Sequence, residues 1–336
     1  MGGGTAGCML ANRLSENGRY RILLLESGED LKSDPRTNIL SLGLLLMTTD
    51  ANWGFSTVPQ ANIGNRTNSA SAGRLLGGSS AINGFAFLPN SKLIIDAWAN
   101  LGNPGWDREA FSRSMDRFTL ATSTTNPAKS PLQITVPEEN IEWPCVWRDT
   151  LATLGFPIAQ DGLTSGNILG SLMGGETIGL DKKRSYSAKA YLDDIVRPRS
   201  NLTIWTKVTA ERIIFENSDS HTPIAVGVTV RDSETGTLKS VLANKEVILS
   251  GGTINSPRLL EFQLELKLSN PNVGEHLQNH PLVTVTFEAR DEDGFDTIDQ
   301  LLRKDEEAVP KFKAEYAKGL GPGSKSNLNI LAQLPV

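Results

Sequence analysis

Apolar residues recur along the chain with two different spacings. In "CMLANRLSENG" Met9, Leu10 and Leu14 share one helical face, and Gly18 stands where a C-terminal cap glycine is favoured. A helix is therefore predicted behind a turn over Gly2 to Gly7. "RILLLESG" is a short apolar run closed by an acid and a glycine, the pattern of a buried strand. "NLTIWTKVTAERIIFE" (201–216) and "IAVGVTVRDSETGTLKSVLANKEVILSGG" (224–252) alternate in the manner of strands separated by turn residues.

Between these regions the pattern is less regular. Asp30 to Gly73 is loop-rich, with a buried helix or strand over "LSLGLLLM" (Leu40 to Met47) and an extended piece over Trp53 to Gln60. A helix is predicted from about Asp96 to Arg117, followed by a polar surface loop, "TLATSTTNPAKSP". "INSPRLLEFQLEL" starts like a helix, with Ser256 as N-cap and Pro257 at the first helical position. The stretch from Asp291 is charged and helical until "GLGPG" ends it.

Composition narrows the function classes. The 336 residues are 39% hydrophobic, enough for one large core or two smaller ones. A net charge of −5 without a basic stripe argues against nucleic-acid binding. No apolar run is long enough to span a bilayer. Cys8 and Cys145 cannot form a disulfide framework and match no metal-site spacing. Three histidines are present, His221, His276 and His280. The last two are four apart, but no cysteine or third histidine completes a metal site, so no metal is expected.

The opening turn carries the clearest chemistry. Gly2, Gly4 and Gly7 match G-x-G-x-x-G, and Glu26 closes the next strand 19 positions after Gly7. Such glycines allow a tight turn, approach of a pyrophosphate to the backbone and close helix packing, while the acid accepts hydrogen bonds from a ribose. The pyrophosphate would sit on the helix N-terminus, where free N–H groups favour an anion. The spacing predicts an adenine dinucleotide and leaves FAD and NAD open.

Longer stretches bear on that choice. "GRLLGGSSAINGFAF" (Gly73 to Phe87) and "SGGTINSPRLLEF" (Ser250 to Phe262) resemble the two signatures of the glucose–methanol–choline (GMC) oxidoreductases. "GNPGW", "RSYSAKAYL" and "NPNVGEHLQNHP" stand in that family's order. The resemblance implies an α/β fold with a discontinuous, Rossmann-like FAD-binding domain over 1–90 and 195–285. Linking segments and a partial α+β substrate domain would occupy 91–194 and 286–336.

It further implies FAD as cofactor, with Gly2, Gly4, Thr5, Ala6 and Gly7 in the pyrophosphate loop, and Glu26 with Ser27 at the adenosine ribose. Gly78, in "GGSS", would bring bare backbone close to the flat ring system. Asn83, Gly84, Phe85 and Ala86 would lie against the flavin end. Val208 would either meet the adenine through its backbone or serve as strand core.

The implied reaction is oxidation of a small-molecule alcohol at its CH–OH group, with O2 or a quinone-like compound as acceptor. Members acting on aryl or secondary-metabolite alcohols look nearest in style. None of the three histidines matches the family's catalytic segment, so no catalytic residue is assigned. The missing strand before Gly2, the short "FQLELKLS" link and the end at "SNLNILAQLPV" read as a chain truncated at both ends. The competing expectations are a non-redox flavoprotein and a fragment that cannot fold alone.

Overall fold

A computed structural model of the chain describes residues 1–88, 90–115, 119–120, 131–136, 142–159, 166–172, 174–216, 223–261, 270–280, 285, 303, 306–321, 324 and 331–333. Its fold is mixed α/β, divided into two units. The first comprises Met1–Lys32, Leu46–Ile82 and Ser187–Thr297, and the second Ser33–Leu45, Asn83–Tyr186 and Ile298–Val336.

In the first unit, helix α1 (Thr5–Ser15) leads to strand β1 (Ile22–Leu25), which runs parallel to the strand Leu202–Trp205. Helix α1 begins at Thr5, earlier than the apolar spacing suggested, because the glycine turn needs only Gly2 to Gly4. Gly18, with φ of +70°, stands beyond its end. Met1 and Gly2 lie between β1 and the segment 246–250. The Gly2 N–H donates to the Leu25 carbonyl at 2.9 Å, and the Ser250 N–H donates to the Met1 carbonyl at 2.8 Å.

The strands Val208–Phe215, Ala225–Asp232 and Leu238–Leu242 form an antiparallel sheet in that order. Leu25, Val228 and Val230 make a core that Leu23, Val208, Ala210 and Val241 complete. Alternation predicted strand character through Ser250, but 246–250 is not a strand here: its bonds reach Met1 rather than a full neighbouring strand. Side chains then fasten α1 to the sheet. Asn201 Nδ2 donates to the Ser15 and Tyr20 carbonyls, and Arg199 Nη1 to the Asn12 carbonyl. The helix Gly252–Glu261 holds Pro257 inside it, so the Ser–Pro pair marks an interior turn and not a start. One i→i−4 bond is forfeited there.

The second unit is built of shorter pieces. A helical turn, Pro35–Asn38, is capped by Asp34, whose carboxylate accepts the Arg36 N–H at 2.8 Å. Leu40–Thr48 is a 3₁₀ helix that crosses from this unit into the first. The region predicted as one helix is two, Lys92–Asn100 and Arg108–Met115, parted by a turn containing Gly102 and Gly105. Both glycines have positive φ, which a continuous helix cannot hold. Ala86–Phe87 pairs antiparallel with Gly175–Glu176, and Leu40, Phe85 and Ile178 share a buried cluster. Most of the polar loop at 121–130, most of 291–305 and His221 lie outside the described residues. No helix among the described residues is long and apolar enough to cross a membrane.

Candidate functional site

In the first unit, backbone meets backbone because side chains are missing. A Cβ on Gly7 would collide with the Gly2 carbonyl oxygen. Gly78, at φ +54°, would place a Cβ 2.7 Å from the Cα of Gly4. Only glycine satisfies both demands at Gly78, a left-handed backbone and contact with another chain segment. Gly77 then donates its N–H to the Gly3 carbonyl at 2.7 Å, fixing the second glycine-rich segment against the first.

Helix α1 opens at this junction. Its N-cap is Gly4, with no side-chain cap and no acidic residue in the first turn. Thr5 and Ala6 are exposed. The first N–H groups of a helix have no partner within it, and the dipole adds positive charge there. An exposed, uncapped N-terminus beside bare glycine backbone fits a phosphate group.

Glu26 closes β1 and is buried. Its Oε2 accepts the Gly3 N–H at 2.8 Å and its Oε1 the Gly28 N–H at 2.9 Å. Burial raises the carboxyl above its ordinary value of 4.5, and the N–H groups of Gly28, Gly3 and Ser27 oppose that rise. The Arg74 guanidinium, 5.2 Å from the Trp53 ring centre, opposes it further. Two backbone donors therefore orient this carboxylate, and Ser27 beside it is half-buried.

Val208 donates its N–H to the Glu26 carbonyl at 2.9 Å and packs against the Leu25–Val228–Val230 core. That N–H is occupied by the sheet. Cys8 is fully buried, and burial pushes its thiol up to about 12, so it is an inert packing residue. His276 and His280 are exposed. Among the described residues no group of His, Cys, Asp or Glu is placed to hold a metal ion.

Asn83, Gly84, Phe85 and Ala86 belong to the second unit. Phe85 points inward and is 7% exposed, while Asn83, Gly84 and Ala86 face outward. The turn is held from below. Thr177 gives its N–H and its hydroxyl to the Phe85 carbonyl, at 2.9 and 3.1 Å, and the Phe85 N–H donates to Asn83 Oδ1 at 3.1 Å. Arg184 Nη1 donates to both Asn83 oxygens at 2.8 Å. Sequence reasoning noticed "RSYSAKAYL" as a piece but gave Arg184 no role. No spacing rule ties this arginine to Asn83, 101 positions before it.

A glycine-rich turn feeding an uncapped helix, with an oriented carboxylate ending the next strand, defines the dinucleotide-binding class of α/β proteins. The family model described as GMC oxidoreductase matches residues 1–282, and the chain belongs to that family. The chain is 31% identical over 328 residues to the GMC oxidoreductase family protein Mala s 12 of Malassezia sympodialis. That alignment covers 86% of this chain and 52% of the relative. Identity is also 31%, over 301 residues, to the oxygen-dependent choline dehydrogenase of Yersinia pseudotuberculosis, covering 83% and 52%. Among solved structures, pyridoxine 4-oxidase from Mesorbium loti is similar with a TM-score of 0.68 and 28% identity, covering 77% of this chain and 50% of that one. The chain thus spans about half the length of the curated relatives it matches.

Proposed function

We propose that this chain binds FAD and forms part of an oxidoreductase acting on the CH–OH group of a small alcohol. The observation that carries the reading is the glycine contact between Gly4 and Gly78 at the open end of α1. A Cβ at Gly78 would collide with the Gly4 Cα, so bare backbone lies beside the uncapped helix end and its exposed Thr5 and Ala6.

In this reading Gly2, Gly4, Thr5, Ala6 and Gly7 receive the pyrophosphate, and Glu26 with Ser27 holds the adenosine ribose. The turn Asn83, Gly84, Phe85 and Ala86 lies against the flavin end through its backbone and its exposed residues, with the Phe85 ring turned inward. The FAD-binding domain is drawn from 1–90 and 195–285, with the remainder linking it to a substrate domain. FAD supplies the two-electron acceptor for oxidation of the alcohol carbon. The chain's own part is to bind and orient: N–H groups of α1 neutralise phosphate charge, and the carboxylate of Glu26, fixed by Gly3 and Gly28, accepts ribose hydroxyls. Substrates of the choline, pyridoxine or aryl-alcohol type, including alcohols of secondary metabolism, suit a family of this kind, with O2 or a quinone-like compound as acceptor.

The test is an FAD titration of the purified full chain followed by visible absorption. A flavin band that co-elutes with the protein and bleaches anaerobically with choline, pyridoxine or an aryl alcohol is the expected result. Binding without bleaching by any alcohol would favour a non-redox flavoprotein. A folded chain that stays colourless would overturn the reading.

A further inference from the structure

Arg184 is completely buried, and a buried cation is costly unless its hydrogen bonds serve a purpose. Burial brings its guanidinium down to about 10. The fold also reserves room for it, since a Cβ on Gly43 would collide with the guanidinium. The group acts on one turn from two directions. Its Nη1 bonds the Asn83 backbone and side-chain oxygens at 2.8 Å, and its Cζ lies 3.7 Å from the Phe85 ring centre.

That turn needs holding. Phe85 has φ of +68°, a left-handed backbone that bulky residues rarely adopt. In this conformation the ring is buried while Asn83, Gly84 and Ala86 stay exposed. The antiparallel bridge between Ile178 and Arg184, and the bond from the Arg184 N–H to the Asn38 carbonyl at 3.2 Å, fix the arginine backbone. The guanidinium therefore projects from a rigid base.

We propose that Arg184 is a positioning residue for the flavin end of the cofactor, setting the Asn83 amide and the Phe85 backbone so that the exposed face of the turn keeps one geometry. This rests on the reading that the chain binds FAD. Lysine at this position would keep the charge and lose the planar fork, and methionine would lose both.

The experiment compares the FAD-loaded full chain with Arg184→Met, Arg184→Lys, Asn83→Ala and the double variant Asn83→Ala/Arg184→Met. FAD affinity and the visible circular dichroism of the bound flavin are measured. The expected result is about tenfold weaker binding and an altered flavin spectrum for Arg184→Met. Arg184→Lys should fall between it and the parent. The double variant should lose less than the two single losses combined. Unchanged affinity and dichroism in folded Arg184→Met would overturn the proposal, even if its melting temperature fell. Should Arg184→Met fail to fold, Asn83→Ala decides, because Asn83 is exposed: an unchanged flavin spectrum there overturns it equally. A parent protein without a flavin band removes the FAD reading itself, which is a different result from a coloured parent with indifferent variants.

Discussion

The glycine turn around α1 and the Asn83–Ala86 turn reach a fixed geometry by opposite means. In the first, Gly7 and Gly78 bring no side chain to their tightest contacts, so a backbone oxygen and a Cα of other residues touch them directly. The second carries a bulky side chain at its left-handed position, and that Phe85 is held by Arg184, 101 positions beyond Asn83. Glycine makes close approach possible without strain, whereas a bulky residue in the same backbone region must be held by its surroundings. A turn of the first kind tolerates no addition. A turn of the second kind depends on the groups that surround it, Arg184 and Thr177 among them.

The largest expected effect breaks the first region. Gly7→Ala sets a methyl against the Gly2 carbonyl oxygen and 2.9 Å from Ser250 Oγ, and the carbonyl is backbone that cannot swing aside. The expected cost is about 3 kcal/mol, the upper range for overpacking, with loss of FAD binding. Urea unfolding and FAD titration of the variant check both.

Gly43→Ala sharpens the comparison from the other side. Its methyl would meet only the end of the Arg184 guanidinium, and the next obstacles are Arg184 Cζ at 3.6 Å and the Arg36 carbonyl at 3.8 Å. A free side chain would move away at little cost. One pinned by Asn83 and Phe85 cannot, so about 1–2 kcal/mol of stability should be lost. A variant as stable as the parent would mean that the arginine end is loose.

Glu26 offers a pH test confined to the glycine region. Its folded carboxyl titrates above the ordinary value of 4.5, chiefly through burial. A raised folded pKa gives stability that is full below the unfolded value and lost as the pH climbs through the folded one. Glu26→Gln removes this titration, so the stability difference between variant and parent should shift in favour of glutamine as pH rises above the ordinary carboxyl value of 4.5. Denaturant midpoints at stepped pH measure the shift. Glutamine accepts one backbone N–H and sets its amide against the other, so FAD should bind roughly 10-fold more weakly at neutral pH.

These contrasts explain what could be read before the fold was seen. The glycine turn was legible because its requirement is local: G-x-G-x-x-G, a helix and an acid lie within the first 26 residues. Strand β1 was legible from four apolar residues and a terminal acid. The role of Arg184 was not, since no spacing rule connects it with Asn83 and its burial depends on Gly43, Asn38 and Phe85 together. The helix start at Ser256–Pro257 was misread for a related reason. A cap and a proline describe a local preference, and the helix from Gly252 overrides it. The segment 246–250 has strand composition, but strands form through their neighbours, and its bonds reach Met1 and Gly2 rather than a paired strand.

The smallest effect is expected at Thr177. Its N–H and its hydroxyl both reach the Phe85 carbonyl, so Thr177→Val removes one of two donors and keeps the shape of the side chain. The remaining N–H leaves the carbonyl satisfied, which limits the cost to about 0.5–1 kcal/mol. If Arg184 alone holds the turn, the flavin spectrum of Thr177→Val should match that of the parent although its unfolding midpoint falls slightly. If the spectrum moves as far as in Arg184→Met, the turn is held by its whole hydrogen-bond set, and the contrast with the glycine region is one of many weak bonds against steric exclusion, not of one cation against it.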